Sequence, residues 1–403
     1  MQIPSLANVD VAGKRLVVRA DLNVPVENGR VSDATRIERF AAGMRPLLAR
    51  GARLVILTHF GRPKAEERDP EFSVDKLRPE LSRALGVKVT FSDVCADQSA
   101  VILSERLKDG EALLCENLRY NAGETANDPG FAAELAKLGD IYVNDAFSCA
   151  HRAHASTAAI ADLLPAYAGP LLEEELNALS AALEAPQRPS VAIVGGAKVS
   201  TKIAVLKNLV AKLDHVIIGG GMANTFLYAE GAPMGKSLHE ADQIDTITEI
   251  RRLADAHGCT LHLPQDVAVA REFKAFAEAE ILPANKCPSN SMILDAGPQA
   301  VQSFTDVLEG CRTILWNGPL GAFEIPPFDK ATVALAQAAA RLTCVGKAVS
   351  VAGGGDTVAA LNAAKATPEF TYVSTAGGAF LEWLEGKDLP GIKALQRAPA
   401  EAA

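Results

Sequence analysis

Residues 190–202 read SVAIVGGAKVSTK. The first five are apolar in succession rather than in alternation, which is the pattern of a strand covered on both faces. Two glycines follow at once, then lysines. The same order of apolar run, small or polar tail and longer Ala/Leu-rich stretch recurs in RLVVRADLN (15–23), ARLVILTHFGR (52–62), EALLCENLRY (111–120), DIYVNDAF (140–147), HVIIGGG (215–221), RTILWNGP (312–319), KAVSVAGGGD (347–356) and FTYVSTAGG (370–378). Buried strands alternating with helical stretches predict an α/β fold of mostly parallel, doubly wound sheets flanked by helices.

At 403 residues the chain is too long for one core, and two lobes of similar size are expected. GPLLEEELNALSAALEAPQRP (169–189) separates them, with leucines at 171, 172, 176, 179 and 183. Those spacings predict an amphipathic helix closed by Pro186 and Pro189. The expected organisation is a first lobe over 1–168, a hinge helix over 169–187, a second lobe over 188–380, and a segment over 381–403 that packs back on the first lobe. No repeat of solenoid period is present.

With 48% hydrophobic and 22% charged residues, the composition is globular, and a formal net charge of -9 argues against non-specific binding to nucleic acid or an anionic membrane. An anionic ligand must then meet a local basic cluster. The start, MQIPSLANVDVAGKRL, lacks the features of an export signal, and no apolar run is long enough to span a bilayer. The seven scattered cysteines form no C-x-x-C pair, which suits reduced thiols in a cytoplasmic protein and offers no zinc site.

Ligands of open parallel sheets bind beyond the carboxyl ends of the strands, so the strand tails predict the site. In the first half these tails carry Asp21, Asn23, His59, Arg62, Arg119 and, slightly further on, Arg152; Arg36 follows the polar turn SDAT. Several forked guanidinium groups at strand ends make a trap for a small anion, the alternative for each being a solvated arginine in an ordinary ion pair. His151 and His154 flank Arg152 at a spacing compatible with a metal, but no third ligand has a recognisable spacing. An arginine held by its loop against a phosphate accounts better for the stretch.

The second half offers backbone amides instead. IVGGAKVSTK, IIGGGMANTF, VAGGGDTVAA and VSTAGGAFLE each run from strand through glycines into a helical stretch, an arrangement that aims N–H groups at phosphate oxygens. None matches G-x-x-x-x-G-K-[ST] or G-x-G-x-x-G. Lys198 and Lys202, four apart, are expected on one face of the helix after the glycines. Asp356 after Gly353, Gly354 and Gly355 is placed to hold a Mg²⁺ ion on nucleotide phosphates, or else to cap a helix. The loop from Asn317 suits the ribose and base of a nucleotide, with Glu324 accepting from ribose hydroxyls, though an irregular connector reads the same.

Eleven stretches in order, RADLNVP, THFGRP, ENLRY, VNDAFS with AHRAHAS, VGGAKVSTK, GGGMANTF, LPQDVAVA, WNGPLGAFE, PPFDKAT, AGGGDT and VSTAGGAFLEWLEGK, closely resemble the phosphoglycerate kinase family nearly end to end. The resemblance implies a monomeric, two-lobed, hinge-bending enzyme that reversibly transfers the acyl phosphate of 1,3-bisphosphoglycerate to Mg-ADP, giving 3-phosphoglycerate and ATP. By motif position, Asp21, Asn23, Arg36, His59, Arg62, Arg119 and Arg152 line the phosphoglycerate site. Lys202, Asn317, Glu324 and Gly353 to Thr357 serve the nucleotide, and Asp356 serves Mg²⁺. Arg36, Lys198, Lys202, Gly377 and Gly378 stabilise the transferring group. Ser148, Cys149 and Ala376 depart from the family pattern, which has glycine and a small residue after DAF and STGGG at the last motif.

Two other classes fit the lobes less well. A nicotinamide dehydrogenase should show a G-x-G-x-x-G turn with an acid about 20 residues on, which is missing. A non-catalytic nucleotide-binding protein has no use for the arginines and Lys202.

Overall fold

The computed structural model describes residues 3–397, so the last six residues of the 381–403 segment lie outside the described residues. The chain divides into two units, one running to Leu176 and resuming at Asp388, the other spanning Asn177–Lys387.

In the first unit, β1 (Arg15–Ala20) is followed by a small antiparallel hairpin, β2 (Val26–Glu27) and β3 (Arg30–Val31). The strands β4 (Arg53–Leu57), β5 (Val89–Ser92), β6 (Ala112–Cys115), β7 (Ile141–Asp145) and β8 (Ala166–Ala168) then join β1 in a six-stranded parallel sheet, ordered β5-β6-β4-β1-β7-β8. Leu16, Val18, Leu54, Ile56, Leu114 and Val143 form its core with Ile37, Phe40 and Met44 of helix Thr35–Ala49. The register sets Ala20 of β1 beside Asp145 of β7. From β1 the chain winds outward first to β4 and later to β7, so the order reverses here and a crevice opens at the carboxyl ends.

The second unit repeats the plan. β9 (Ser190–Val194), β10 (His215–Ile218), β11 (Thr260–His262), β15 (Thr313–Asn317), β16 (Val349–Gly353) and β17 (Tyr372–Ser374) form a parallel sheet ordered β11-β10-β9-β15-β16-β17. Between β11 and β15 the chain builds a separate antiparallel sheet from β12 (Asp266–Ala270), β13 (Glu280–Pro283) and β14 (Met292–Ala296), ordered β13-β12-β14. The large sheet's order reverses between β9 and β15, where Val194 pairs with Asn317. Gly195 and Gly318 are required there because the two backbones touch. A Cβ on Gly195 would lie 1.8 Å from the Pro319 carbonyl oxygen, and Gly318 has φ +115°.

All nine runs singled out in the sequence are strands of the two parallel sheets. Helix Pro170–Leu179 continues as a π-helical turn over Ser180–Glu184, and the division between units falls within it. Asp145, ending β7, accepts a hydrogen bond from the Leu171 amide at 2.7 Å and so anchors the helix start to the first sheet. Helix Pro390–Arg397 packs in the first unit, with the Gly391 amide donating to the Ala150 carbonyl at 2.8 Å. No helix among the described residues is long and apolar enough to cross a membrane.

Candidate active site

At the crevice of the first sheet, the Arg36 guanidinium donates to Asp21 Oδ2 at 2.8 Å, and the hydroxyl of Ser148 donates to the same oxygen at 2.6 Å. Asn23 Oδ1 accepts from the Gly61 amide at 3.0 Å, while Arg119 donates to the Gly61 carbonyl at 2.5 Å. One glycine after β4 thus ties the tails of β1 and β6 together. Arg62, next in the chain, is exposed. Arg152 donates to His151 Nε2 at 3.2 Å.

His59 is buried and accepts at Nδ1 from Arg19 at 3.1 Å, since a guanidinium has no lone pair to offer. Burial and then the positive fields of Arg19, Arg119 and Arg152 push its pKa down to about 2, so the ring is neutral. The same causes bring His154 to about 4. Arg119 is lowered by burial and by Arg152. These groups report excess positive charge at one spot. Among the described residues no carboxylate pairs with Arg62, Arg119 or Arg152.

Arg19, embedded in β1, was not foreseen. It is 1% exposed, and its Nε donates at 2.9 Å to Ser156 Oγ, which donates at 2.6 Å to the buried carboxylate of Glu124. Glu124 also accepts from the Ser156 amide at 3.0 Å. A charge in the middle of an apolar run was the available signal. His154 Nδ1 lies 3.7 Å from Glu124 Oε1, so His154 belongs to this polar network, while His151 meets Arg152.

In the second unit Lys202 occupies the reversal point. Its ammonium donates to the Gly195 carbonyl at 2.7 Å, the Asn317 carbonyl at 3.0 Å and Asn317 Oδ1 at 2.7 Å, and Asn317 Nδ2 donates to the Gly353 carbonyl at 2.8 Å. Burial lowers its pKa to about 8, with Asp356 opposing. The Thr357 hydroxyl accepts from the Gly318 amide at 2.8 Å. Lys198 and Lys202 do not share a helical face as expected. Lys198 is extended at φ -135°, a 3₁₀ turn occupies Val199–Thr201, and the α-helix begins only at Ile203.

Both lysines nevertheless line one cavity of about 280 Å³, together with Asn317, Gly354, Gly355, Asp356 and Thr357. Gly196, Ala197, Pro319 and Asp356 also border a second cavity of about 260 Å³, walled by Ala223, Leu238, Val267, Ile293, Leu320 and Glu324 among others. A lysine-bearing compartment adjoins a mainly apolar slot with a larger wall. Asp356 is not a helix cap, for Gly354 holds that position at φ +99°. It is exposed and, among the described residues, is the one carboxylate that lines the lysine-bearing cavity. Gly377 and Gly378 line neither cavity. Leu381, in the helix that Gly378 begins, borders the first.

Residues 6–387 match the family model described as phosphoglycerate kinase. A phosphoglycerate kinase of Cereibacter sphaeroides is 57% identical over 392 residues, covering 97% of this chain and 98% of that protein. One from Methylorubrum extorquens is 58% identical over 384 residues, covering 95% and 96%. Among solved structures, phosphoglycerate kinase from Coxiella burnetii superposes with a TM-score of 0.92 at 44% identity, over 99% of this chain and 100% of that one. The enzyme from Pyrococcus horikoshii gives 0.77 at 29% identity over 98% of each. With its arginine-rich crevice, its two adjoining cavities and this match over nearly its whole length, the chain belongs to the phosphoglycerate kinase family.

Proposed function

We propose that the chain reversibly transfers the acyl phosphate of 1,3-bisphosphoglycerate to ADP, giving 3-phosphoglycerate and ATP. The observation that carries this reading is the arginine group around His59. Burial and then Arg19, Arg119 and Arg152 lower the pKa of His59, and burial and then Arg152 lower that of Arg119. Positive charge therefore gathers here, and a small phosphorylated carboxylate neutralises it. Residues 1–168 serve as the phosphoglycerate lobe, with Asp21, Asn23, Arg36, His59, Arg62, Arg119 and Arg152 lining the site. Residues 188–380 serve as the nucleotide lobe, and of the 381–403 segment the helix Pro390–Arg397 docks on the first.

For the nucleotide, the apolar slot suits a base with Glu324 toward the ribose, and the lysine-bearing cavity suits the phosphates. Lys202 supplies charge, and Asn317 with Gly353 to Thr357 supply the wall. Mg²⁺ fits this chemistry because it takes one or two protein carboxylates and otherwise keeps waters and phosphate oxygens, and Asp356 offers an exposed carboxylate on the cavity wall. Bound there with the nucleotide, the ion would neutralise phosphate charge.

Phosphoryl transfer needs positioning and charge compensation more than proton transfer. In the ATP-consuming direction an oxygen of the ionised 3-phosphoglycerate carboxylate attacks the γ-phosphorus. The bond to the bridging oxygen breaks, and ADP leaves with the electron pair. No general base is required, which agrees with a neutral His59. Arg36, Lys198, Lys202 and the amides of Gly377 and Gly378 stabilise the moving group. Closure about the 169–187 helix brings the substrates into line and excludes water. A chain carrying both substrate sites acts as a monomer, in the cytoplasm where its substrates are found, with no role in nucleic-acid or membrane binding.

Calorimetric titration of 3-phosphoglycerate into the protein tests the carrying observation. Binding that weakens steeply as salt is raised, and that is lost in Arg119→Ala, supports it. Equal binding by parent and variant would place the anion elsewhere.

A further inference from the structure

One residue at the crevice of the first sheet departs from the family pattern. Ser148 stands where glycine is usual, and its hydroxyl makes the shortest bond to Asp21. That bond is a charge-assisted hydrogen bond of 2.6 Å to Oδ2, the oxygen that also accepts from Arg36 at 2.8 Å. Asp21 Oδ1 in turn accepts from the Asn23 amide at 3.3 Å. The carboxylate is therefore fixed on both sides, one oxygen turned to the backbone of its own tail and the other to Arg36.

The position from which Ser148 acts is rigid. It lies in the 3₁₀ turn Phe147–Cys149, whose flanking side chains are buried and whose amides close the turn directly after β7. Cys149 N donates to Ala146 O at 3.0 Å, and Ala150 N donates to Phe147 O at 2.9 Å. The Ala150 carbonyl is held by the Gly391 amide at 2.8 Å. By contrast the Arg36 side chain is 39% exposed, and the rest of its support is a 3.4 Å contact with the Asn23 carbonyl. A long, half-open guanidinium keeps one geometry only if its acceptor does not rotate.

We infer that Ser148 is a positioning residue for phosphoryl transfer: it locks the Asp21 carboxylate so that Arg36 is held toward the transferring group. This rests on the functional reading above. Ser148 touches no substrate in this account and acts through Asp21. Its contribution belongs in kcat, because the locked geometry matters when the charge moves rather than when substrate first binds.

The test is steady-state kinetics of Ser148→Ala, Ser148→Thr, Asp21→Ala and the Ser148→Ala/Asp21→Ala pair, assayed as ATP consumption with 3-phosphoglycerate. Ser148→Ala is expected to lower kcat by roughly fivefold, less than a fully buried charged bond would give because the pair is partly open to water. The KM values for ATP and 3-phosphoglycerate should stay within about twofold, and Ser148→Thr, which keeps the hydroxyl, should recover most of the loss. In the Asp21→Ala background the serine change should have no further effect. A Ser148→Ala enzyme with unchanged kcat, or one with the same loss whether or not Asp21 is present, overturns the role while leaving the functional reading intact. A parent enzyme that turns over nothing overturns the functional reading and this role with it.

Discussion

Replacing Arg36 with alanine separates the contribution of this side chain to folding from its contribution to chemistry. In the structure it makes one ion pair, with Asp21 at 2.8 Å, and the two side chains are 39% and 15% exposed. Water screens such a pair, so its loss costs at most about 1 kcal/mol of stability, and the urea midpoint should move little. Turnover should behave differently. An arginine that meets charge developing on a transferring phosphoryl group contributes on the order of 10³-fold, equivalent to about 4 kcal/mol of barrier. Coupled measurement of ATP consumption with saturating 3-phosphoglycerate, beside urea unfolding of the same samples, gives both quantities. A variant that turns over within about threefold of the parent refutes the assignment, since no group facing the moving charge is that dispensable. A large loss of stability would show that Arg36 holds the fold instead.

Three further outcomes follow from the second unit. Lys202 is charged below its pKa of about 8 and neutral above it, so kcat/KM for nucleotide should hold level up to that pH and then fall by about tenfold per unit. Lys202→Arg, permanently charged, should lack that alkaline limb, and an identical limb in both enzymes assigns it to another group. Gly195→Ala places a methyl group 1.8 Å from the Pro319 oxygen and must separate the ends of β9 and β15. Unfolding should show a loss of about 1–3 kcal/mol, with nucleotide binding abolished in calorimetry and 3-phosphoglycerate binding retained. Asp356→Asn should weaken Mg-ADP about tenfold while leaving ADP in chelator unchanged, and equal losses under both conditions would remove the metal role.

Most of the fold was legible because the inner strands are buried on both faces and cannot alternate. β5 was not, since VTFS is buried at its two ends and half-open between them. β8 and β11 are three-residue edge strands, and the β12–β14 sheet is antiparallel, with β13 largely exposed. Such segments carry no strong period.

The site was legible where it lies on strand tails. Asp21, His59 and Arg119 come within four residues of the ends of β1, β4 and β6, and Asn317 ends β15 at the reversal of the second sheet. Arg19 was hidden because strand residues are read as core, and its buried partner Ser156 is more than a hundred residues away. The helical pairing of Lys198 with Lys202 failed because the chain spends Val199–Thr201 in a 3₁₀ turn, which no helix start or stop residue announces. Ser148 stood out in sequence only as an oddity, and its bond to Asp21 appears once β1 and β7 are adjacent.

Turnover by the purified protein is the most direct test of phosphoryl transfer between the two sites. ATP consumption should be measured by a coupled assay with 3-phosphoglycerate and MgCl₂, omitting each component in turn. Turnover that requires all three is the predicted result. Turnover without 3-phosphoglycerate, or none with every component present and both substrates bound, would contradict transfer between the two sites.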